Sequence, residues 1–193
     1  LVFAHHDFRQ PFLGADELVW LIRFKALKKQ VEWMAGRYAA KRLAHRFLDG
    51  RPHPARTQVA YRPKGAPYLT QAPAVGLSIS HSWDYAVAGL GLRPSSILGL
   101  DLERIRPGIR ETLLRTAFSD GEAAGLTLAD TSTLFLRWTA KEAYLKTIGM
   151  GFHESLKQVE ILGDAIWHRK RPVPSLSLHS HLPCPGYAFS LVC

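Results

Sequence analysis

The chain has 193 residues, of which 47% are hydrophobic and 21% charged, and its Lys and Arg side chains exceed its Asp and Glu side chains by nine. This length suits one domain or two small ones, and this composition excludes a chain that is mostly disordered. The sequence has no apolar run long enough to span a membrane, no signal-peptide pattern and only two cysteines, so we expect a cytoplasmic protein without a membrane span or a disulfide framework.

The excess of positive charge lies in one stretch of the chain. Between residues 23 and 64, twelve Lys and Arg side chains stand against only Glu32 and Asp49, a local balance of +10. Such a stretch predicts a polyanionic partner. By charge alone, nucleic acid, a nucleotide-like small molecule, an acidic protein and a solvated helix face without a ligand all remain open.

The first half of the chain predicts one long helix followed by extended segments. Residues 1–22 are expected to be packed but irregular, and an apolar stripe predicts a helix over 25–48. Pro and Gly predict a loop over 49–67 with room for at most one short strand. Residues 76–81 and 85–92 are short and apolar, which predicts a β-hairpin.

A break at residues 94–96 separates the two halves, so we predict an N-terminal subdomain of residues 1–96 and a C-terminal subdomain of residues 97–193. In the second, Ser119 and Glu122 form a capping-box pattern at the start of a helix. The pattern there predicts strands at 97–103, 159–162, 165–168, 176–179 and 187–192, and helices at 109–117, 120–126 and 133–148. The predicted fold class is α+β, with two similar-sized subdomains that each pack a helix on a small antiparallel sheet.

The strand ILGLDLE carries the first candidate site. Alternation along a strand places Asp101 and Glu103 on one face together with Gly99. Two carboxylates beside a residue without a side chain suit a hard cation such as Mg²⁺. The alternative is an exposed polar face of an edge strand, with Arg104 or Arg106 as the counter-charge.

The helix containing LRWTAKEAYLK carries the second candidate site. Phe135, Trp138, Glu142 and Leu145 follow helical spacing, which places Glu142 within the apolar stripe. An ion pair with Lys146, one turn later, is the simpler interpretation, and it is worth only about 0.3–0.5 kcal/mol. A metal shared with the two strand carboxylates would also explain why a carboxylate occupies the stripe.

Five segments taken in order resemble the 4'-phosphopantetheinyl transferases. More narrowly, they resemble the two-half type that activates nonribosomal peptide and siderophore synthetases, as in enterobactin synthesis. The resemblance covers about residues 28–152. The segments are WMAGRYAAK, KGAPYL, SISHS, GLDLE and WTAKEAYLK.

The resemblance implies a pseudo-twofold pair of subdomains and a monomeric transferase that does not bind nucleic acid. Such an enzyme moves the phosphopantetheine arm of coenzyme A to a serine of an apo acyl, peptidyl or aryl carrier protein and releases 3',5'-adenosine bisphosphate. The resemblance implies coenzyme A as the co-substrate and Mg²⁺ as the metal. The carrier is typically acidic, so the basic stretch would suit both partners.

The resemblance also implies roles for the acidic residues and lysines of the second half. Asp101, Glu103 and Glu142 would hold Mg²⁺ against the pyrophosphate. Lys146 would stabilise charge on the pyrophosphate or protonate the leaving group, and Lys141 would lie against the phosphates. The base that takes the serine proton would be Glu122, Glu142 or a metal-bound water.

In the first half, the resemblance implies the contacts to coenzyme A. Arg37, Lys28 or Lys29, and His81 would bind the 3'-phosphate, with Ser80 beside His81 in the same segment. The residues that would flank the adenine are Lys64, Gly65, Ala66 and Pro67.

This chain departs from the family pattern in two places. The adenine loop reads GAP where many relatives have GKP, and Thr139 replaces the commoner Ser or Cys. Two rival functions stay open: a nucleic-acid-binding module that uses the basic helix, and a catalytically silent relative that binds carrier proteins. The first predicts binding that weakens steeply with salt and does not need Asp101 or Glu142.

Overall fold

A computed structural model of the chain describes residues 12–48, 53–93, 96–126 and 130–193. It divides into two compact units, Leu1–Ser96 and Ile97–Cys193, called unit 1 and unit 2 below. Within these described ranges, no helix combines the length and the apolar character needed to cross a membrane.

Unit 1 is built on one long helix. Its elements are α1 (Ala15–Leu21), α2 (Leu27–Phe47), β1 (Val59–Tyr61), β2 (Pro67–Leu69), β3 (Gly76–Ser82) and β4 (Tyr85–Gly91). Helix α2 packs on the antiparallel β3–β4 hairpin, and β1 pairs with β2. The core between them is made by Ala40, Ala44, Val59, Leu69 and Leu77. The predicted helix and hairpin are confirmed.

One prediction for unit 1 is wrong, and one strand was not predicted. Residues 15–21 form a helix where irregular structure was expected, because Glu17 accepts a hydrogen bond from Gly14 N at 2.9 Å and so caps the first turn. Residues 67–69 form a strand that was not predicted and that begins at the last residue of the expected loop. Pro67 can start this strand because its missing N–H removes no interior ladder bond there. Part of that predicted loop, residues 49–52, lies outside the described residues.

Unit 2 packs its longest helix between small sheets. Its elements are β5 (Gly99–Arg104), α3 (Arg110–Ala117), α4 (Asp120–Leu126), α5 (Thr131–Thr147), β6 (Val159–Leu162), β7 (Ala165–His168), β8 (Arg171–Pro172), β9 (Leu178–His181) and β10 (Tyr187–Val192). One antiparallel sheet has the order β5-β10-β9 and the other β6-β7-β8. Each unit thus combines helices with small antiparallel sheets, so the α+β class is confirmed.

Caps define the ends of two helices in unit 2. The predicted capping box is present, because Glu122 N donates to Ser119 Oγ (3.4 Å) and Ser119 N donates to Glu122 Oε2 (3.2 Å). Helix α5 begins earlier than predicted, since Asp130 Oδ1 accepts from Thr133 N at 2.8 Å. Strand β9 lies two residues later than predicted, and the short β8 was not predicted.

Candidate functional site

The approach of α5 to β5 determines what the acidic strand can do. A Cβ on Gly99 would lie 2.0 Å from Ala143 O and 2.4 Å from Thr147 N, so only glycine allows this contact. Because Gly99 faces α5, alternation along β5 turns Asp101 toward the same helix. The side chain of Asp101 is accordingly buried.

Lys146 of α5 meets Asp101 across this contact. Its Nζ lies 2.6 Å from Asp101 Oδ1 and also donates to Leu100 O at 3.1 Å. The prediction for Lys146 considered only Glu142, one turn away on the same helix. The structure shows that the ammonium also reaches the strand, which ties the catalytic candidate Lys146 to the metal candidate Asp101.

Glu142 lies close enough to Asp101 for their charges to interact. Burial, and after it the negative charge of Asp101, raise the pKa of Glu142 to about 7, while Lys146 and a hydrogen bond from Trp138 oppose the shift. Below we call Asp101 and Glu142, with Lys146 beside them, the acidic pair. Two carboxylates that repel each other in a partly buried place are stabilised by a cation.

The donor set of the acidic pair fits Mg²⁺. The ion prefers carboxylate oxygens and is usually held by one or two of them together with waters and substrate phosphates. Across the described ranges, no group of three His, Cys, Asp or Glu side chains is placed to hold a metal ion, so the arrangement on its own supports two of the three predicted ligands. Glu103 is half-buried on the same strand, and its role as a third ligand stays a prediction.

Lys141 and Glu122 form a separate buried ion pair. Lys141 is fully buried, with Nζ 2.6 Å from Glu122 Oε2 and 2.9 Å from Ala117 O. Burial lowers the pKa of Lys141, against the opposing effect of Glu122. Glu122 Oε1 accepts in turn from Ile161 N at 3.3 Å. These contacts join α4, α5 and β6, and the roles of Lys141 at the phosphates and of Glu122 as the base stay predictions.

In unit 1, two lysines and a histidine surround one carboxylate. Glu32 of α2, whose side chain is 8% exposed, lies 3.7 Å from Lys28 Nζ, 3.8 Å from Lys29 Nζ and 4.0 Å from His81 Nδ1. Below we call Lys28, Lys29 and His81 around Glu32 the basic cluster. The structure therefore brings together three of the side chains predicted to bind the 3'-phosphate.

Arg37, the fourth predicted 3'-phosphate contact, is turned inward. Its side chain is only 4% exposed, with Nε 3.7 Å from Glu17 Oε1. Its guanidinium lies 4.3 Å from the ring centre of Trp33 and 4.9 Å from that of Tyr61. It lines a cavity of about 470 Å³ in unit 1, and its contact to the 3'-phosphate stays a prediction.

The adenine-loop residues form a tight turn before β2. Gly65 has a φ of +87°, which favours glycine, and its N–H donates to Arg62 O at 2.8 Å. Lys64 and Gly65 are exposed, whereas Pro67 begins the strand and Ser80 is buried within β3. Their contacts to a nucleotide stay predictions.

Sequence reasoning missed two residues that organise unit 1. Glu17 binds Arg37 and the fully buried Lys41, and the only signal for it was its position three residues after Gly14. Glu32 was counted as one acidic residue in a basic stretch. Its place on the same helix face as Lys28, one turn away, was the available signal.

Comparisons with known proteins find similarity to proteins of one family. Residues 97–183 match the family model described as the 4'-phosphopantetheinyl transferase superfamily. The chain is 31% identical over 157 residues to the 4'-phosphopantetheinyl transferase HetI of Nostoc, a match that covers 77% of this chain and 64% of HetI. It is 27% identical over 124 residues to a 4'-phosphopantetheinyl transferase of Bacillus subtilis, covering 62% of this chain and 52% of that protein.

The matches leave part of the relatives uncovered. A Synechocystis protein named as a transferase of this kind is 28% identical over 157 residues, 78% of this chain and 62% of its own length. The chain thus spans between about half and somewhat under two thirds of the length of these curated relatives.

Likeness to solved structures is weaker. The holo-[acyl-carrier-protein] synthase of Helicobacter pylori, solved with coenzyme A, aligns with a TM-score of 0.42 and 18% identity over 50% of this chain and 97% of that one. The family model covers β5 and α5, which carry the acidic pair. The segment 97–183 therefore carries the sequence pattern of the 4'-phosphopantetheinyl transferase superfamily.

Proposed function

We propose that this protein transfers the 4'-phosphopantetheine group of coenzyme A to a serine of an apo carrier protein and releases 3',5'-adenosine bisphosphate. The observation that carries the proposal is the acidic pair, in which Asp101 and Glu142 adjoin one lysine within the segment that matches the transferase family. Phosphoryl transfer needs positioned cations and metal-binding carboxylates more than it needs a covalent nucleophile.

Mg²⁺ is the metal in this proposal, with Asp101 and Glu142 as its main protein ligands and Glu103 as the third. When bound, the ion supplies positive charge that neutralises the pyrophosphate. Lys146, held by Asp101 and Leu100 O, adds a positioned ammonium for the same charge. In unit 1, the basic cluster takes the 3'-phosphate, Arg37 contributes from its cavity, and Lys64, Gly65, Ala66 and Pro67 flank the adenine.

The reaction moves one group. The serine oxygen of the carrier forms a bond to the phosphorus that bears the pantetheine arm, and the bond from that phosphorus to the bridging oxygen breaks. The bridging oxygen leaves with 3',5'-adenosine bisphosphate, and the serine proton passes to a base. Glu122 is already held by Lys141 and Ile161 N, which favours Glu142 or a metal-bound water over Glu122 as the acceptor of this proton.

The proposal extends to the type of transferase. The two-unit type that serves nonribosomal peptide and siderophore synthesis, with its pseudo-twofold arrangement, is the expectation that the sequence motifs support. The partner is then an acidic acyl, peptidyl or aryl carrier domain, which suits the +10 balance between residues 23 and 64.

A mass measurement tests the transfer. The full chain is incubated with coenzyme A, Mg²⁺ and a panel of apo acyl, peptidyl and aryl carriers, and each carrier is weighed by mass spectrometry. We expect at least one carrier to gain one phosphopantetheine group, with the gain lost in EDTA and restored by excess Mg²⁺.

Two variants complete this test. Asp101→Asn keeps the shape of the side chain but removes its charge, and Glu111→Gln makes the same kind of change at an exposed position of α3. We expect no transfer by the first and normal transfer by the second. No gain on any carrier, or an undiminished gain in EDTA, contradicts the proposal.

A further inference from the structure

The turn between β3 and β4 contains a bulky residue at a backbone conformation that ordinarily takes glycine. Strand β3 ends at Ser82 and β4 begins at Tyr85, so Trp83 and Asp84 form a two-residue hairpin turn. Trp83 has a φ of +54°, and the first central position of such a turn, with φ above zero, ordinarily takes glycine. Its side chain is half-exposed, so core packing does not explain why a bulky residue stands here.

The contact between the Trp83 ring and Lys28 offers an explanation. Lys28 Nζ lies 4.2 Å from the ring centre, over the face of the indole. The same ammonium lies 3.7 Å from Glu32 Oε1. The aromatic face and the carboxylate therefore hold Lys28 from two sides.

Glu32 extends this arrangement to the rest of the basic cluster. Gly36, one turn after Glu32, faces β3 so closely that a Cβ there would lie 2.9 Å from Ile79 Cγ2 and 3.7 Å from a carbon of the His81 ring. The close packing of α2 on β3 brings His81 Nδ1 to 4.0 Å from Glu32. Lysine side chains are ordinarily mobile on a surface, and here their charged ends share one buried anchor.

We propose that Trp83 and Glu32 are positioning residues that order Lys28, and with it the basic cluster, for the 3'-phosphate of coenzyme A. This inference rests on the proposed function. It makes Trp83 and Glu32 responsible for the preference for coenzyme A over dephospho-coenzyme A, the form without the 3'-phosphate. Cations ordered before the ligand arrives lose less conformational entropy on binding. A strained backbone kept at a turn for such a contact is typical of a functional site.

The test compares kcat and KM for coenzyme A and for dephospho-coenzyme A in Trp83→Gly, Glu32→Gln and the unchanged protein. We expect the unchanged protein to prefer coenzyme A. In both variants this preference should fall about tenfold, because the KM for coenzyme A rises. The kcat, and the KM for dephospho-coenzyme A, stay the same. The melting temperature of Trp83→Gly does not fall, because glycine relieves the positive φ.

Phe47→Ala is the matched control. Phe47 is also half-exposed and also has a cation near its ring, since the guanidinium of Arg46 lies 5.4 Å from the ring centre. We expect Phe47→Ala to keep the full preference for coenzyme A. Trp83→Phe retains an aromatic face for Lys28 and restores most of the preference.

Calorimetric binding of the two nucleotides separates this inference from the transfer reaction. If no carrier is modified but binding still favours coenzyme A and Trp83→Gly loses that preference, the proposed function fails and the positioning role stands. Equal losses for the two nucleotides, a loss confined to kcat, tighter binding of coenzyme A by the variants, or no preference in the unchanged protein overturns the positioning role.

Discussion

The two units carry charge clusters of opposite design. In the basic cluster of unit 1, exposed cations surround one buried carboxylate, and Lys28 and Lys29 are 58% and 65% exposed. In the acidic pair of unit 2, partly buried carboxylates adjoin a single lysine. The first arrangement has spare positive charge at the surface and suits an anion, whereas the second has spare negative charge in a low-dielectric place and suits a cation.

The difference explains why one overall net charge was a poor guide to function. The excess of nine positive charges comes from the stretch between residues 23 and 64, which contains Lys28 and Lys29, and says nothing of the acidic pair. A nucleic-acid-binding module would need only the first. A protein that binds a nucleotide as a metal complex has a use for both.

Removing the charge of the acidic pair should have the largest effect. We expect Glu142→Gln to lower kcat by about 1,000-fold or more, since the metal and its charge neutralisation are lost together. Circular dichroism and the melting temperature should show an intact fold. Transfer retained in both Glu142→Gln and Asp101→Asn would refute the metal assignment.

Breaking the buried pair between Lys141 and Glu122 should affect stability rather than chemistry. Either Lys141→Met or Glu122→Gln leaves a buried group without its partner, and we expect a loss of about 3–5 kcal/mol in the free energy of unfolding. Urea unfolding measures this. Transfer per folded molecule should be nearly unchanged in Glu122→Gln, and a selective loss of kcat in a stable Glu122→Gln would instead identify Glu122 as the base.

A larger residue at position 99, where β5 contacts α5, should strongly lower the free energy of unfolding. Gly99→Ala places a methyl group 2.0 Å from Ala143 O, so the helix must move away from the strand. We expect a loss of about 3 kcal/mol in stability together with lower activity, because Lys146 and Glu142 move away from Asp101. Gly108→Ala is the control, since a Cβ there meets no atom within 4 Å.

The smallest effect concerns the stability of the metal-free protein. The pKa of Glu142 is raised to about 7 in the folded state, so the folded protein binds more protons than the unfolded chain as the pH rises toward 7. Stability therefore falls over that range and is lowest above pH 7. Glu142→Gln lacks this loss.

We expect Glu142→Gln to be more stable than the unchanged protein by about 1–2 kcal/mol at pH 8 in EDTA, with the difference shrinking toward pH 5. Denaturant titrations at the two pH values check this. A difference that is the same at both pH values would mean that Glu142 does not carry the shifted pKa.

Most secondary structure was predictable because its signals are local. Alternation along β5 correctly placed Asp101 beside Gly99, and the capping box of Ser119 and Glu122 correctly marked the start of α4. Helix α1 escaped prediction because its seven residues are too short for a clear period.

The partners of charged side chains were less predictable. Spacing suggested that Lys146 pairs along its own helix, yet its ammonium contacts Asp101, 45 residues away in the chain. Lys141 stands beside Glu142 in sequence but points into the core. The partner of a charged side chain depends on which element packs against its face of the helix. Periodicity in the sequence predicts the face but not the element that packs against it.

The central claim is that the acidic pair binds the metal through which coenzyme A is held, and calorimetry tests it most directly. The affinity for coenzyme A is measured with and without Mg²⁺ in the unchanged protein and in Glu142→Gln. The account predicts that Mg²⁺ tightens binding by about tenfold or more in the unchanged protein and has no effect in the variant. An equal tightening in both proteins, or none in the unchanged protein, would contradict it.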